Sequence, residues 1–262
     1  MTDDFARIYE RTGNRITAPI AMEGFRRVGS IGEGTRVLDI AAGAGALSVP
    51  AAYSGASVLA VDIAPGMVNL LSERLAPFPK AEARVMDGQD LQIADDSFDA
   101  AFSIFGVSLF ADWRRGLREQ ARVVRPGGMA CVATWQRPPG GGPFMIMAQA
   151  LRSVFPDRAP PAPAEGFVAL SDPSRLAAEM RSAGFADVEV EEIQAVWHGP
   201  AGPAYLEEVR ALNRYMAPYV ALSDDERKKV EDAILRVVGD LAVGDRLRIV
   251  APVLLAVAGR SS

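Results

Sequence analysis

The feature that most constrains this chain is the run Val37-Leu38-Asp39-Ile40-Ala41-Ala42-Gly43-Ala44-Gly45, an apolar stretch carrying one acid and opening into a turn of small residues. Arg36 to Ile40 reads as a buried parallel strand. The Ala/Gly run to Gly45 lets a ligand lie against bare backbone before a helix starts near Ala46. Strand, glycine turn and helix N-terminus together form the ligand cradle of an open α/β sheet. In a turn of the form G-x-G-x-x-G that cradle holds a pyrophosphate, which a carboxylate at the strand end would repel. Asp39 occupies that place, so the ligand must present a cation or hydrogen-bond donors there. Ser57 to Val61 reads as the next strand and Asp62 closes it, 62 − 39 = 23 positions after Asp39. That is close to the spacing of roughly 20 at which an acid meets ribose hydroxyls in a βαβ nucleotide unit.

S-adenosylmethionine meets both demands, with an ammonium for Asp39 and a ribose diol, which donates two hydrogen bonds, for Asp62. Further blocks stand in order along the chain: Met86-Asp87-Gly88-Gln89-Asp90-Leu91, then Asp95-Asp96-Ser97-Phe98-Asp99, then Leu117 to Val124 leading into Arg125-Pro126-Gly127-Gly128-Met129, and Ser182-Ala183-Gly184-Phe185 before a strand. With these blocks the chain resembles the Rossmann-like, class I S-adenosylmethionine-dependent methyltransferases, in particular the small-molecule branch similar to the ubiquinone and menaquinone biosynthesis methylases. One departure is Ala41, which stands where many members carry the first glycine.

The resemblance implies a doubly wound, mostly parallel α/β sheet of seven strands. Its expected parts are a helical N-terminal lid (1–34), a cofactor-binding core (35–135), a Pro/Gly-rich lid (136–170) and a helical cap insertion (199–245). It assigns to the cofactor Asp39, Ala41, Gly43 and Gly45 at the first turn, Asp62, Ile63 and Met67 around ribose and adenine, Asp87 and Gly88 at the adenine amino group, and Ser103 and Ile104 at the end of the fourth strand. Two of these have a plainer reading, Met67 as core filling and Asp87 as an idle loop carboxylate.

Composition narrows the partners. A net charge of -5 and a pI near 5.1 argue against a broad nucleic-acid surface. Cys131 is the only cysteine, so no disulfide framework and no Cys/His cluster at metal-ligand spacing is available. The apolar span from Ile40 to Val61 contains three glycines and Pro50, which fits a buried strand-helix-strand unit better than a membrane span. No secretion signal is legible at the N-terminus. The expectation is a cytoplasmic enzyme without a structural metal, not inserted in a membrane, and with room for a homodimer.

The acceptor side is read from the residues after the fourth strand. No Asn-Pro-Pro-Tyr or Asp-Pro-Pro-Tyr motif is present to hold a planar nitrogen; Phe105, Val107, Leu109, Phe110 and Trp113 offer apolar contact instead. Gln136 to Gly142 and Pro156 to Gly166 bracket a short helical segment with Phe144, Met145 and Met147, which reads either as a mobile lid over the acceptor or as a connector. Between 199 and 244 two helices are expected, with an apolar stripe Tyr205, Leu206, Val209, Leu212 and Met216 and a capping box from Ser223 to Glu226. Phe105, Phe144 and Met147 are the candidate acceptor contacts, with Tyr9 from the N-terminal helices, where plain packing is the rival reading. His198, the sole histidine, is the candidate base. Two other functions stay open: a nicotinamide-dependent oxidoreductase, and a cofactor-binding protein without chemistry. Asp39 and the missing G-x-G-x-x-G speak against the first, and a closed acceptor pocket would speak against the second.

Overall fold

The computed structural model describes residues 2–261. The strands in chain order are β1 (Arg36–Ile40), β2 (Ser57–Asp62), β3 (Ala81–Val85), β4 (Phe98–Ile104), β5 (Val124–Trp135), β6 (Phe185–Pro200), β7 (Ala242–Val243) and β8 (Arg246–Arg260). The helices are α1 (Asp3–Thr12), α2 (Asn14–Val28), α3 (Ser48–Tyr53), α4 (Pro65–Leu75), α5 (Trp113–Val123), α6 (Pro143–Val154), α7 (Glu165–Ala169), α8 (Pro173–Ala183), α9 (Gly202–Asn213), α10 (Ala217–Val220) and α11 (Asp224–Leu241).

Seven strands lie in the order β3-β2-β1-β4-β5-β8-β6, and the two-residue β7 pairs with β8. β3, β2, β1, β4 and β5 are mutually parallel, whereas β8 runs antiparallel between β5 and β6. The expected seven-stranded sheet is therefore present with one short addition. The Pro126-Gly127-Gly128 turn is absorbed into β5 as an irregularity, where the β4 register shifts between Phe98 and Ala100 and Gly127 takes φ +75°.

Strand alternation sends successive side chains to opposite faces. Val37 packs with the cluster under α2, α3 and α6, while Leu38 and Ile40 join Leu59, Val61 and Val123 beneath α5. Past the exposed Arg36 both faces of β1 are buried, which is why Val37 to Ile40 is apolar except at Asp39.

The cap between β6 and β8 has three helices rather than two, with α10 as an extra turn. The Ser223–Glu226 capping box forms as expected and starts α11. α11 packs chiefly on α6. That contact changes the reading of the 136–170 segment. Ile146, Met147 and Ala150 of α6 are in the main core, and Gly140, Gly141 and Gly142 are all buried. A side chain at Gly140 or Gly141 would meet the Trp135 indole at 3.0 Å, and one at Gly142 would meet Trp197 at 3.4 Å. Gly140 and Gly142 also take positive φ, +95° and +63°, and Gly141 is further hemmed in by Ile16 and Ala251. The first part of that segment, from Gly140 through α6, is thus packed on the core, whereas Pro156 to Glu165 is exposed throughout.

Candidate functional site

The strand order places three acids and one aromatic side by side along the carboxyl edge: Asp87 after β3, Asp62 ending β2, Asp39 near the end of β1, and Phe105 after β4. Neighbouring strands are about 4.8 Å apart, so these groups from four separate chain segments span one small ligand.

Asp39 is buried on the α3 face. Its Oδ2 accepts from the Ser48 backbone N–H at 3.1 Å and from Ser48 Oγ at 2.5 Å. Burial pushes its carboxyl up to about 7; the two Ser48 hydrogen bonds oppose this and the Asp62 charge adds to it. Ser48 was not legible as a site residue. It reads as an ordinary helix-start serine until the fold turns its hydroxyl back on Asp39. Oδ1 accepts no hydrogen bond among the described residues. A buried carboxylate with one open oxygen is the acceptor an ammonium satisfies.

Asp62 is anchored from both sides. Oδ2 accepts from Gly43 N–H and Oδ1 from Ala64 N–H, each at 2.9 Å, and burial raises its pKa against those two bonds. Each oxygen keeps a further lone pair for a diol. Gly43 takes φ +54° and a side chain there would meet nothing within 4 Å, so the turn leaves open space where a ligand needs it. Gly45, at φ +82°, is required for a different reason, since a side chain would strike Leu71 at 2.4 Å. Ala41 also sits at positive φ, +58°, and its methyl occupies the space a side chain at Gly106 would need. The small residue at 41 is thus matched to Gly106.

Ile63 is exposed beside Asp62, an apolar surface available to a base. Met67 is not. It is buried with Ala6, Ala44, Ala64 and Leu70 under Phe5 and Tyr9, so its packing role prevails over the expected adenine contact. Asp87 is half-buried and accepts from Gln89 N–H at 2.9 Å and Gln89 Nε2 at 3.0 Å, while a side chain at Gly88 would strike Phe110 and Ile40. Ser103 Oγ accepts from Val107 N–H at 3.0 Å and so shapes the loop after β4, with half-buried Ile104 between.

Tyr9 stands close to Asp62. Burial pushes its phenol up to about 12 and the Asp62 charge adds to the shift. Its ring covers Gly13, where a side chain would lie 2.5 Å from it. Phe105 is buried at φ +63°, a conformation that costs a non-glycine residue on the order of 1–3 kcal/mol and is held only where surroundings over-determine it. Here the restraint is visible: Phe105 N–H donates to Ala133 O at 2.9 Å and the ring stacks on Trp135 at 4.3 Å and 14°. Trp135 is the last residue of β5. Phe144 is half-buried against the core beside Met147.

His198 needs correcting. Trp197 is buried and its Nε1 donates to Thr12 O at 3.0 Å; alternation then turns His198 to the opposite face, where it is exposed. β6 is also separated from β4 by β5 and β8, about 14 Å at the usual strand spacing. The imidazole is not at the carboxyl-edge site.

Fold and site together define an α/β nucleoside-binding protein whose cradle suits a cationic amino acid group rather than a pyrophosphate. Comparison with known proteins agrees. A family model described as a methyltransferase domain matches residues 38–132. A demethylmenaquinone methyltransferase of Clavibacter sepedonicus is 33% identical over 219 residues, covering 74% of this chain and 84% of that protein. The YcgJ protein of Bacillus subtilis superposes with a TM-score of 0.57 at 18% identity, covering 92% of this chain and 98% of that one. Phosphoethanolamine N-methyltransferase 2 of Haemonchus contortus, solved with S-adenosylhomocysteine, superposes with a TM-score of 0.57 at 18% identity, over 93% of this chain and 53% of that one. The chain belongs to the class I S-adenosylmethionine-dependent methyltransferases, in the small-molecule branch that includes the menaquinone methylases. It is a methyltransferase and its cofactor is S-adenosylmethionine.

Proposed function

We propose that this methyltransferase acts on an apolar, aromatic small molecule of the quinone-precursor kind, seated against Phe105 beneath the cap. The observation that carries the reading is the strained, buried Phe105 ring, stacked on Trp135 at the carboxyl edge beside Asp39. A relative described as a demethylmenaquinone methyltransferase, at 33% identity, supports the same acceptor class. Among the described residues no helix is long and apolar enough to cross a membrane. A cytoplasmic location is part of the proposal.

S-adenosylmethionine, when bound, supplies an electrophilic methyl group on a sulfonium. Asp39, steered by Ser48, holds the ammonium end; Asp62, braced by Gly43 and Ala64 N–H groups, takes the ribose hydroxyls; Ile63 offers its exposed face to the adenine and Asp87 its carboxylate to the adenine amino group. Tyr9 closes the site above Asp62. Phe105 and its Trp135 backing fix one wall against which a flat acceptor is aligned for in-line attack. Holding the nucleophile in a near-attack geometry and excluding water can supply about 7–11 kcal/mol, so positioning carries most of the rate and His198 none of it.

The test is transfer of labelled methyl from S-adenosylmethionine to chemically reduced demethylmenaquinone, with phosphoethanolamine as a polar amine control. Turnover of the aromatic acceptor alone is expected. Transfer to phosphoethanolamine with none to the quinol would sink the aromatic reading.

A further inference from the structure

The cap helix α9 lies along α1 in the opposite direction. Near its start, Tyr205 packs edge-on against Trp197 at 5.7 Å, whose indole bonds Thr12 at the end of α1; just past its end, Tyr215 meets Phe5 of α1 at 5.0 Å. The inner face of α9 therefore lies beside the helix that brings Tyr9 to Asp62. That face carries Tyr205, Val209 and Asn213, spaced four apart and all buried.

The surroundings are apolar, and most of the polar groups there are committed. Thr12 Oγ1 donates to Ile8 O at 2.7 Å, Thr17 Oγ1 to Asn14 Oδ1 at 3.1 Å, and Tyr219 Oη to Glu231 at 2.8 Å. Two are not. Asn213 is 1% exposed and, among the described residues, its Nδ2 has no hydrogen-bond partner and the Tyr205 hydroxyl makes no hydrogen bond. Burial, with the Glu208 charge adding, raises the Tyr205 pKa, so its hydroxyl keeps its proton and stays a donor. A buried donor left unpaired weakens a fold, and a leucine at 213 would continue the apolar stripe without that penalty. The two donors are eight residues apart on one helix face, about 12 Å along the axis.

We propose that the inner face of α9 reads the acceptor, with Asn213 Nδ2 and the Tyr205 hydroxyl donating hydrogen bonds to its oxygen atoms. The acceptor class is accordingly an oxygenated ring rather than a plain hydrocarbon. This rests on the aromatic-acceptor reading above and adds the residues that discriminate. A site built to pair with a substrate oxygen rejects the analogue lacking it far more strongly than an apolar pocket rejects a missing methyl.

The experiment compares calorimetric binding of 1,4-dihydroxynaphthalene, kept reduced under argon, with that of naphthalene to the full chain saturated with S-adenosylhomocysteine. Wild type is expected to favour the diol by at least about tenfold. In Asn213→Leu that preference should fall to within about twofold, with unchanged affinity for S-adenosylhomocysteine and an equal or higher melting temperature, because an unpaired donor has been removed. A merely structural asparagine would give the reverse, a lower melting temperature and an intact preference, and would overturn the proposal. Should Asn213→Leu not fold, Asn213→Ala and Tyr205→Phe carry the same ratio. If wild type binds neither probe, the aromatic reading falls and this inference with it. If wild type favours the diol and the variants keep that preference, the inference alone falls.

Discussion

The cofactor half and the acceptor half of this molecule are built on opposite plans. Around β1 and β2 the two buried acids are already held by the protein: Asp39 by Ser48, and Asp62 by Gly43 and Ala64. Around the cap, aromatic faces and glycine backbone form the walls, and among the described residues the buried Asn213 amide is left unpaired and the Tyr205 hydroxyl makes no hydrogen bond. The difference comes from what each half must bind. A charged, invariant cofactor demands a pre-arranged polar cradle with its reorganisation already made. An apolar acceptor needs shape and a dry wall, with a few polar groups waiting for its own.

Four experiments would break or sharpen this contrast. The largest effect is expected from Asp62→Ala, which removes the diol acceptor and both backbone anchors: S-adenosylhomocysteine affinity should fall by about 100-fold or more, since hydrogen bonds to a charged group contribute about 1.5–3 kcal/mol each. Calorimetry reads this directly, and a variant that bound as wild type would dissolve the cradle.

Next comes Gly141→Val. Its side chain would collide with Ile16, Ala251 and Trp135, so a loss of about 1–3 kcal/mol is expected from overpacking. Acceptor turnover should suffer while S-adenosylhomocysteine binding persists. Unchanged stability in denaturant titration would restore the mobile-lid picture for the part from Gly140 through α6.

Asp39 gives a pH signature of intermediate size. Its carboxyl is raised from 3.8 to about 7 in the fold. The folded state thus holds the proton more tightly than the unfolded chain, so the stability from this group is fully present below about 3.8 and is lost as pH rises through about 7. Cofactor binding has the opposite sign, because the ammonium needs the carboxylate: S-adenosylhomocysteine affinity should weaken as pH falls below about 7, with protons released on binding. Asp39→Asn should flatten both trends and raise the melting temperature of the ligand-free protein, its amide oxygen still accepting from Ser48. A pH-independent wild-type affinity between pH 6 and 8 would contradict the assignment of Asp39 to the ammonium.

The smallest effect is His198→Ala. With its imidazole exposed on the far face of β6, turnover should stay within about twofold of wild type across pH. A strong loss would mean that β6 reaches the acceptor after all.

Much of the cofactor half was legible because its signals are local. β1 and β2 have the boundaries their sequences imply, and the spacing from Asp39 to Asp62 is one strand-helix-strand unit. Ser48 escaped notice because its partner lies nine residues back, across a turn whose path no residue type announces. Met67 is as apolar as an adenine contact should be, and only the docking of α1 on α4 decides that it is covered by Phe5 and Tyr9.

On the acceptor half, composition is a poor guide to contact. A run of three glycines looks mobile, yet Gly140 to Gly142 are buried against Trp135 and Trp197, two indole rings 62 residues apart in the chain. His198 follows a strand toward the right edge of the sheet, but a one-residue alternation turns it away from the site.

By itself, then, the sequence determined the strand-turn-helix unit around Asp39, the acids at the strand ends and hence the class of cofactor, since periodicity and turn chemistry are local signals, while the sheet as a whole followed from the resemblance those motifs carry. Only the tertiary structure decided the acceptor wall: Phe105 at positive φ, Trp135 behind it, the glycine run, and Asn213 on the cap. Those residues are spread over more than 100 positions, from Phe105 to Asn213, and their meaning is set by which buried partners the closed fold supplies and which it withholds.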